Sequence, residues 1–240
     1  YSIKMALLQI PDQKAQRTFI PVDFNVTDWE SLKTFYDYLI EQSPDSLEAL
    51  EAFLAERNEL DSVVAEDFAW RYIKMTCDTQ SEANQEAYQY FVNNVMPHLS
   101  VYEDKLNRKV LANPHFAALD PQKYQTFTRQ LKREIDLFRE ENVALKAKDQ
   151  SLSQQYSALS GKMTIEYNGE ELTLQQAGKF MENQDRALRQ EIWEKTAKRR
   201  LEDQEALESL FDQLIELRHE SAQNANYDTF TQYKFDLMGR

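Results

Sequence analysis

Residues 43–77 read SPDSLEALEAFLAERNELDSVVAEDFAWRYIKMTC. Leu47, Leu50, Leu54, Val64 and Phe68 recur on one helical face with charged residues between them, the pattern of an amphipathic helix. Ser43-Pro44-Asp45 is a start signal for it. A Ser side chain can accept from an orphan amide, Pro suits a first turn, and Asp complements the positive end of the helix dipole. The helix so opened runs as far as Cys77. With only 4 Gly and 6 Pro in 240 residues, few breaks are expected and long helices are favoured throughout.

The same period extends in both directions. Upstream, Pro21 disfavours helix at Ile20, and Thr27 or Asp28 caps a helix carrying Trp29, Leu32, Tyr36 and Leu39. Tyr1 to Gln16 has no clear period and reads as an arm. Downstream, Asp78-Thr79 breaks the pattern. A helix with Ala87, Tyr88, Phe91 and Val95 follows, is interrupted or kinked at Pro97, and continues through Leu99, Tyr102 and Leu106 to about Leu111. Asn113-Pro114 and Asp120-Pro121 are turn and restart signals. From Tyr124 to about Ala147, Phe127, Leu131, Ile135, Phe138 and Leu145 predict one long amphipathic helix.

One segment has a different period. Met163 to Tyr167 alternates, Asn168-Gly169 is a strong hairpin-turn signal because both central residues need positive φ, and Glu170 to Leu174 is the return strand. Thr173 with Gln176 three residues on also forms a capping-box pattern for the next helix. A helix from about Gln184 through Trp193 to Arg200 is expected to continue into Leu207, Leu210, Phe211, Leu214 and Leu217, since no Gly or Pro intervenes. Asn224 to Asp228 is a turn, and Tyr227, Phe230, Tyr233 and Leu237 begin a last helix. The fold expected is all-α, an elongated multi-helix array with one β-hairpin insertion. Its divisions are an arm and first helix (1–42), a helical region (43–160), the hairpin (161–175) and closing helices (176–240).

Charge and composition exclude several functions. The net charge of -13 repels phosphate backbones and anionic lipid, so neither nucleic acid nor a membrane is an expected partner. No apolar run reaches the roughly 18 residues that span a bilayer. No charged-then-apolar leader opens the chain, although it begins at Tyr1, so a start further upstream is expected. Cys77 is the single cysteine, so no internal disulfide forms, which fits a reducing cytoplasm.

Catalytic chemistry is equally scarce. A zinc endopeptidase helix needs two histidines one turn apart with a glutamate between them. The nearest approach is His219-Glu220-Ser221-Ala222-Gln223, where Gln223 stands in place of the second ligand. His98 and His115 are remote in sequence, and His219 reads as a residue near a helix C-terminus, close to Glu216. Cys77 has no paired base and reads as a partly buried helix cysteine. No glycine-rich elbow or phosphate loop is present. Lys195, Lys198, Arg199 and Arg200 sit among Glu191, Glu194, Glu202 and Asp203, the composition of a solvated, salt-bridged face. No catalytic, cofactor-binding or metal-binding residue is assigned.

Several stretches nonetheless resemble, in order and spacing, the amino-terminal half of M3 zinc oligoendopeptidases of the oligoendopeptidase F type. They are Arg17 to Pro21 with Trp29, Arg71 to Thr79, Leu137 to Val143, the hairpin with Gly169-Glu170-Glu171, Asp185 to Arg189 with Trp193, and Leu217-Arg218, Ala222, Asn226-Tyr227 and Tyr233 to Phe235. The resemblance implies that the zinc helix, its glutamate ligand and the substrate-gripping tyrosines lie beyond this segment. It implies a helical wall of a channel for short peptides, a catalytic domain as partner, and zinc in the full-length enzyme but no cofactor here. It also implies that Phe230, Tyr233 and Leu237 would be uncovered in the isolated chain and drive limited self-association. A non-catalytic helical module that binds peptides or a protein partner is the alternative.

Overall fold

The computed structural model describes residues 17–79 and 81–240. The arm expected over Tyr1 to Gln16 lies outside them. The architecture is all-α with one antiparallel hairpin. The helices are α1 (Trp29–Glu41), α2 (Leu47–Cys77), α3 (Glu82–Tyr90), α4 (Met96–Ala112), α5 (Pro121–Leu137), α6 (Glu141–Gly161), α7 (Leu174–Gly178), α8 (Arg186–Glu202), α9 (Gln204–Asn224) and α10 (Phe230–Leu237). The strands are β1 (Thr164–Tyr167) and β2 (Glu170–Thr173), with Ile165 opposite Leu172 and Tyr167 opposite Glu170. Among the described residues no helix is long and apolar enough to cross a membrane.

Local signals explain most of these boundaries. Asp28 accepts from the Ser31 amide in a capping box and starts α1. Thr173 and Gln176 form a second capping box at α7, Asp120 caps α5 with Pro121 in its first turn, and Thr229 caps α10. Asn168 and Gly169 have φ of 53° and 79°, the paired positive values that a two-residue hairpin turn requires.

Four boundaries differ from the sequence expectation. Ser46, not Ser43, caps α2, accepting from the Ala49 amide; the Pro44 and Asp45 carbonyls instead bond Asn113 and the His115 ring. Pro97 does not break the chain's helical path. A π-turn, Phe91–Val95, precedes it and joins α3 to α4. Proline supplies no amide for the carbonyl four residues back and its ring crowds that carbonyl, and widening the preceding turn relieves both problems. The helix expected from Tyr124 to Ala147 is two helices, because Phe138 is extended at φ -66°, ψ 129°. The helix expected to run from Gln184 to Leu217 is divided at Asp203, φ -103°, ψ 13°. There the Asp203 carboxylate pairs with Arg199 and the chain changes direction without Gly or Pro.

The main core joins the 17–28 segment, α1, α2, the π-turn, α4 and α5 around Leu32, Tyr36, Leu50, Phe53, Leu60 and Leu106. Smaller clusters tie α6 to α9 through Leu152, Leu214 and Leu217, and the hairpin to α7 and α8 through Ile165, Ala177 and Ile192. A two-stranded hairpin is marginal in water alone, so the α8 face beneath it is what holds it.

One carboxylate fastens the irregular 17–28 segment to α2. Glu59 accepts from the amides of Thr18, Phe19 and Ile20, the last at 2.6 Å, and from the Thr18 hydroxyl. Burial opposes its charge, but those backbone donors outweigh it and hold the carboxyl below its ordinary value. Glu59→Ala should cost about 1–2 kcal/mol, after allowing for solvent screening, read as a lower urea midpoint with an unchanged slope. Because the folded-state value is depressed, Glu59's contribution should be full above the ordinary glutamate value and lost as pH falls through the folded one.

Candidate functional site

A cleft of about 1230 Å³ opens between α2, α4 and α5 on one side and α6, α9 and α10 on the other. It exceeds the roughly 300–1,000 Å³ of small-molecule pockets, a scale that suits a segment of peptide. Its depth comes from a polar chain laid across three helices. Arg57, only 7% exposed, donates from Nη2 to Asn107 Oδ1 at 2.7 Å, and Asn107 Nδ2 donates to Glu134 Oε2 at 3.1 Å. Arg57 Nε also lies 3.5 Å from Asp61 Oδ2. Arg57 Nη1, Asp61 Oδ1 and Asp104 Oδ1 have no hydrogen-bond partner, nor does the Tyr36 hydroxyl behind them.

This cluster perturbs its own titration. Burial, reinforced by the Asp61 charge and Glu134, pushes Glu103 up to about 7 against the pull of Lys146 and Arg57. Burial also raises Asp61, opposed by Arg57. The Tyr36 hydroxyl is driven far above its usual range by burial and by Asp61 and Glu103. Carboxyl groups on α2, α4 and α5 therefore compete for few cations, and Glu103 holds its proton best.

The other side of the cleft is fastened differently. Arg139 donates to the carbonyls of Asp136, Phe138 and Asn224, Asn142 donates to Ser221 O at 2.8 Å, and Arg218 pairs with Asp149 at 2.7 Å. Tyr233 is buried against Leu137, Ala222 and Ala225. The expectation of an uncovered α10 therefore holds only in part. Tyr233 packs inward and Phe230 is half-buried, while Leu237 is 44% exposed beside Phe235 and Met238.

Residues 19–138 match the family model described as the Peptidase M3 N-terminal domain. The chain belongs to the M3 peptidase family. No curated protein matches it. Its fold is similar to that of a structure assigned to oligoendopeptidase F, obtained from crystals grown by microfluidic seeding (TM-score 0.84, 21% identity, covering 94% of this chain and 40% of that one). It is also similar to an oligoendopeptidase F structure from Bacillus anthracis strain Ames (TM-score 0.84, 22% identity, 94% and 42%) and to PZ peptidase A with an inhibitor (TM-score 0.84, 22% identity, 93% and 40%). The chain spans about two fifths of the length of these structures.

Within this M3 region, the scattered candidates stay scattered. His98 stacks on Trp29, His115 bonds the Asp45 carbonyl, and His219 is exposed on α9. Among the described residues, no group of His, Cys, Asp and Glu side chains is disposed to hold a metal ion, and His219, Glu220 and Gln223 are all exposed on α9. Cys77 is exposed at the end of α2, not partly buried. Within the basic cluster on α8, Lys195 pairs with Glu191, and Arg199 pairs with Glu202 and with Asp203 at the bend.

Sequence reading named none of Arg57, Asn107 and Glu103, yet a signal was present. Arg57 falls on the Leu50, Leu54, Val64 face, and Glu103 and Asn107 interrupt the Leu99, Leu106, Val110 face. A charge on an apolar stripe needs a buried partner or a ligand.

Glu103→Gln should flatten part of the pH profile of stability. The folded-state value is raised, so wild-type stability from this group is full below the ordinary glutamate value and declines as pH rises to about 7. Urea midpoints of wild type and variant between those limits would show it. Parallel curves would remove Glu103 as the titrating group. Arg57→Ala leaves Asn107 and Asp61 uncompensated and should cost about 3 kcal/mol.

Proposed function

We propose that this region is the non-catalytic, N-terminal part of a zinc metallo-oligoendopeptidase, and that its cleft forms one wall of the channel that admits short peptides. The observation that carries the reading is the peptide-sized cleft in a chain of the M3 family. A deep, helix-walled groove accepts an extended chain and excludes a folded domain, which selects substrates by size before any bond is broken. The zinc and the residues that activate water would come from the remainder of the protein. That remainder would also cover Phe235, Leu237 and Met238, which are exposed at the end of the chain's last helix.

The test mixes the purified chain, zinc and a quenched fluorescent peptide, with and without the separately produced remainder of the protein. The chain alone should show no turnover and limited self-association. With the remainder it should co-sediment and restore zinc-dependent cleavage. Turnover by the chain alone that vanishes on chelation would place the catalytic machinery here instead. A monomer that ignores the remainder would favour a self-contained binding module.

A further inference from the structure

We propose that the cleft prefers acidic peptides, and that their carboxylates are held by cationic side chains which the fold engages in no ion pair. The proposal rests on reading the cleft as a peptide channel wall. The chain as a whole has 28 basic against 41 acidic side chains, whereas the cleft is lined by seven basic and six acidic ones. The acidic ones are largely engaged within the fold. Glu51 pairs with Lys123, Asp61 with Arg57, Asp104 with Arg108 and Asp149 with Arg218.

The cations are not engaged to the same extent. Arg139 bonds only neutral carbonyls. Arg133, Lys146 and Lys234 make no hydrogen bond or ion pair among the described residues, and all three line the cleft. Four positive charges on α5, the α5–α6 connection, α6 and α10 thus face one space. The acidic groups opposing them there are Glu134, which already accepts from Asn107 and Gln130, and Glu103, whose charged form burial disfavours and which Lys146 attracts. The Asp61 and Asp104 oxygens left without a partner are buried out of a peptide's reach, while an acidic peptide finds ammonium and guanidinium donors above an apolar floor of Phe127, Leu131 and Leu137.

Fluorescence anisotropy with three labelled peptides of equal length tests the preference. One is rich in Asp and Glu with a free C-terminus, one is its Asn/Gln counterpart with an amidated C-terminus, and one carries Lys. The ionic strength is set near ~0.15 M, where the Debye length of ~8 Å screens the overall negative charge but not direct contacts. The acidic peptide should bind about tenfold more tightly than the amide counterpart. Lys146→Gln/Lys234→Gln should remove most of that advantage and leave the counterpart's affinity unchanged. Both lysines are exposed and make no hydrogen bond or ion pair among the described residues, and Arg133→Gln serves as a third, independent probe. Equal affinity for acidic and neutral peptides, preference for the Lys peptide, or an advantage that survives all three substitutions would overturn the proposal while leaving the channel reading standing. Binding of none of the peptides would overturn both.

Discussion

Arg57 places a guanidinium on α2 where the helical period calls for an apolar side chain. Taking that charge out of water costs several kcal/mol unless its surroundings compensate it. The compensation comes from α4 and, through Asn107, from α5. Asn107 is well suited to the middle of the chain because its amide offers an acceptor on one side and donors on the other. Its two bonds thereby set how α2, α4 and α5 stand against one another. Apolar packing in the shared core and this buried donor–acceptor chain act on the same three helices. The same chain keeps the space above it polar and open, so the requirement that organises the core also shapes the cleft.

Arginines repeat this linking role elsewhere. Arg71 pairs with Asp67 on its own helix and donates to the carbonyls of Val26 and Ala87, joining α2 to the irregular segment before α1 and to α3. Arg139 collects the carbonyls at the break between α5 and α6 and adds one from the end of α9. Arg218 bridges α9 to α6. Each of these lies in a stretch that carries the resemblance to M3 oligoendopeptidases. Those stretches therefore mark the joints of this region. A planar group holds five donors in a rigid fork and reaches carbonyls on either side of it, whereas a lysine offers three donors on one compact, rotatable head.

Helices α6, α9 and α10 line the cleft opposite the first bundle and also pack on it, Ala147 of α6 against Met75, Tyr88 and Val92, and Tyr233 of α10 against Leu137. Their own cohesion comes from Leu152, Leu214 and Leu217 and from Tyr233 seated among Leu137, Ala222 and Ala225. The groove between the two sides has carboxyl groups concentrated around Arg57, and cations that make no ion pair on α5, α6 and α10.

By itself, the sequence determined the all-α class, the hairpin and most helix caps, because those depend on short-range chemistry. Asn168-Gly169 specifies its turn through φ, Asp28 and Thr173 cap through bonds to amides three residues away, and the Leu and Phe stripes record which faces are buried. Family membership was legible too, since order and spacing survive where no single motif is decisive. Tertiary structure alone decided the breaks at Phe138 and Asp203. No Gly or Pro announces them, and the carbonyls freed at the first are met by Arg139, which also reaches the α9 end of the fold. It also decided the cleft and the high affinity of Glu103 for its proton. Both depend on residues far apart in the chain: the packing of α2, α4 and α5 buries Glu103 and brings the Asp61 and Glu134 carboxylates to it, against the opposing pull of Lys146 on α6 and Arg57 on α2. Helical periodicity shows that a polar residue lies on a buried face, but not which partner reaches it across the fold.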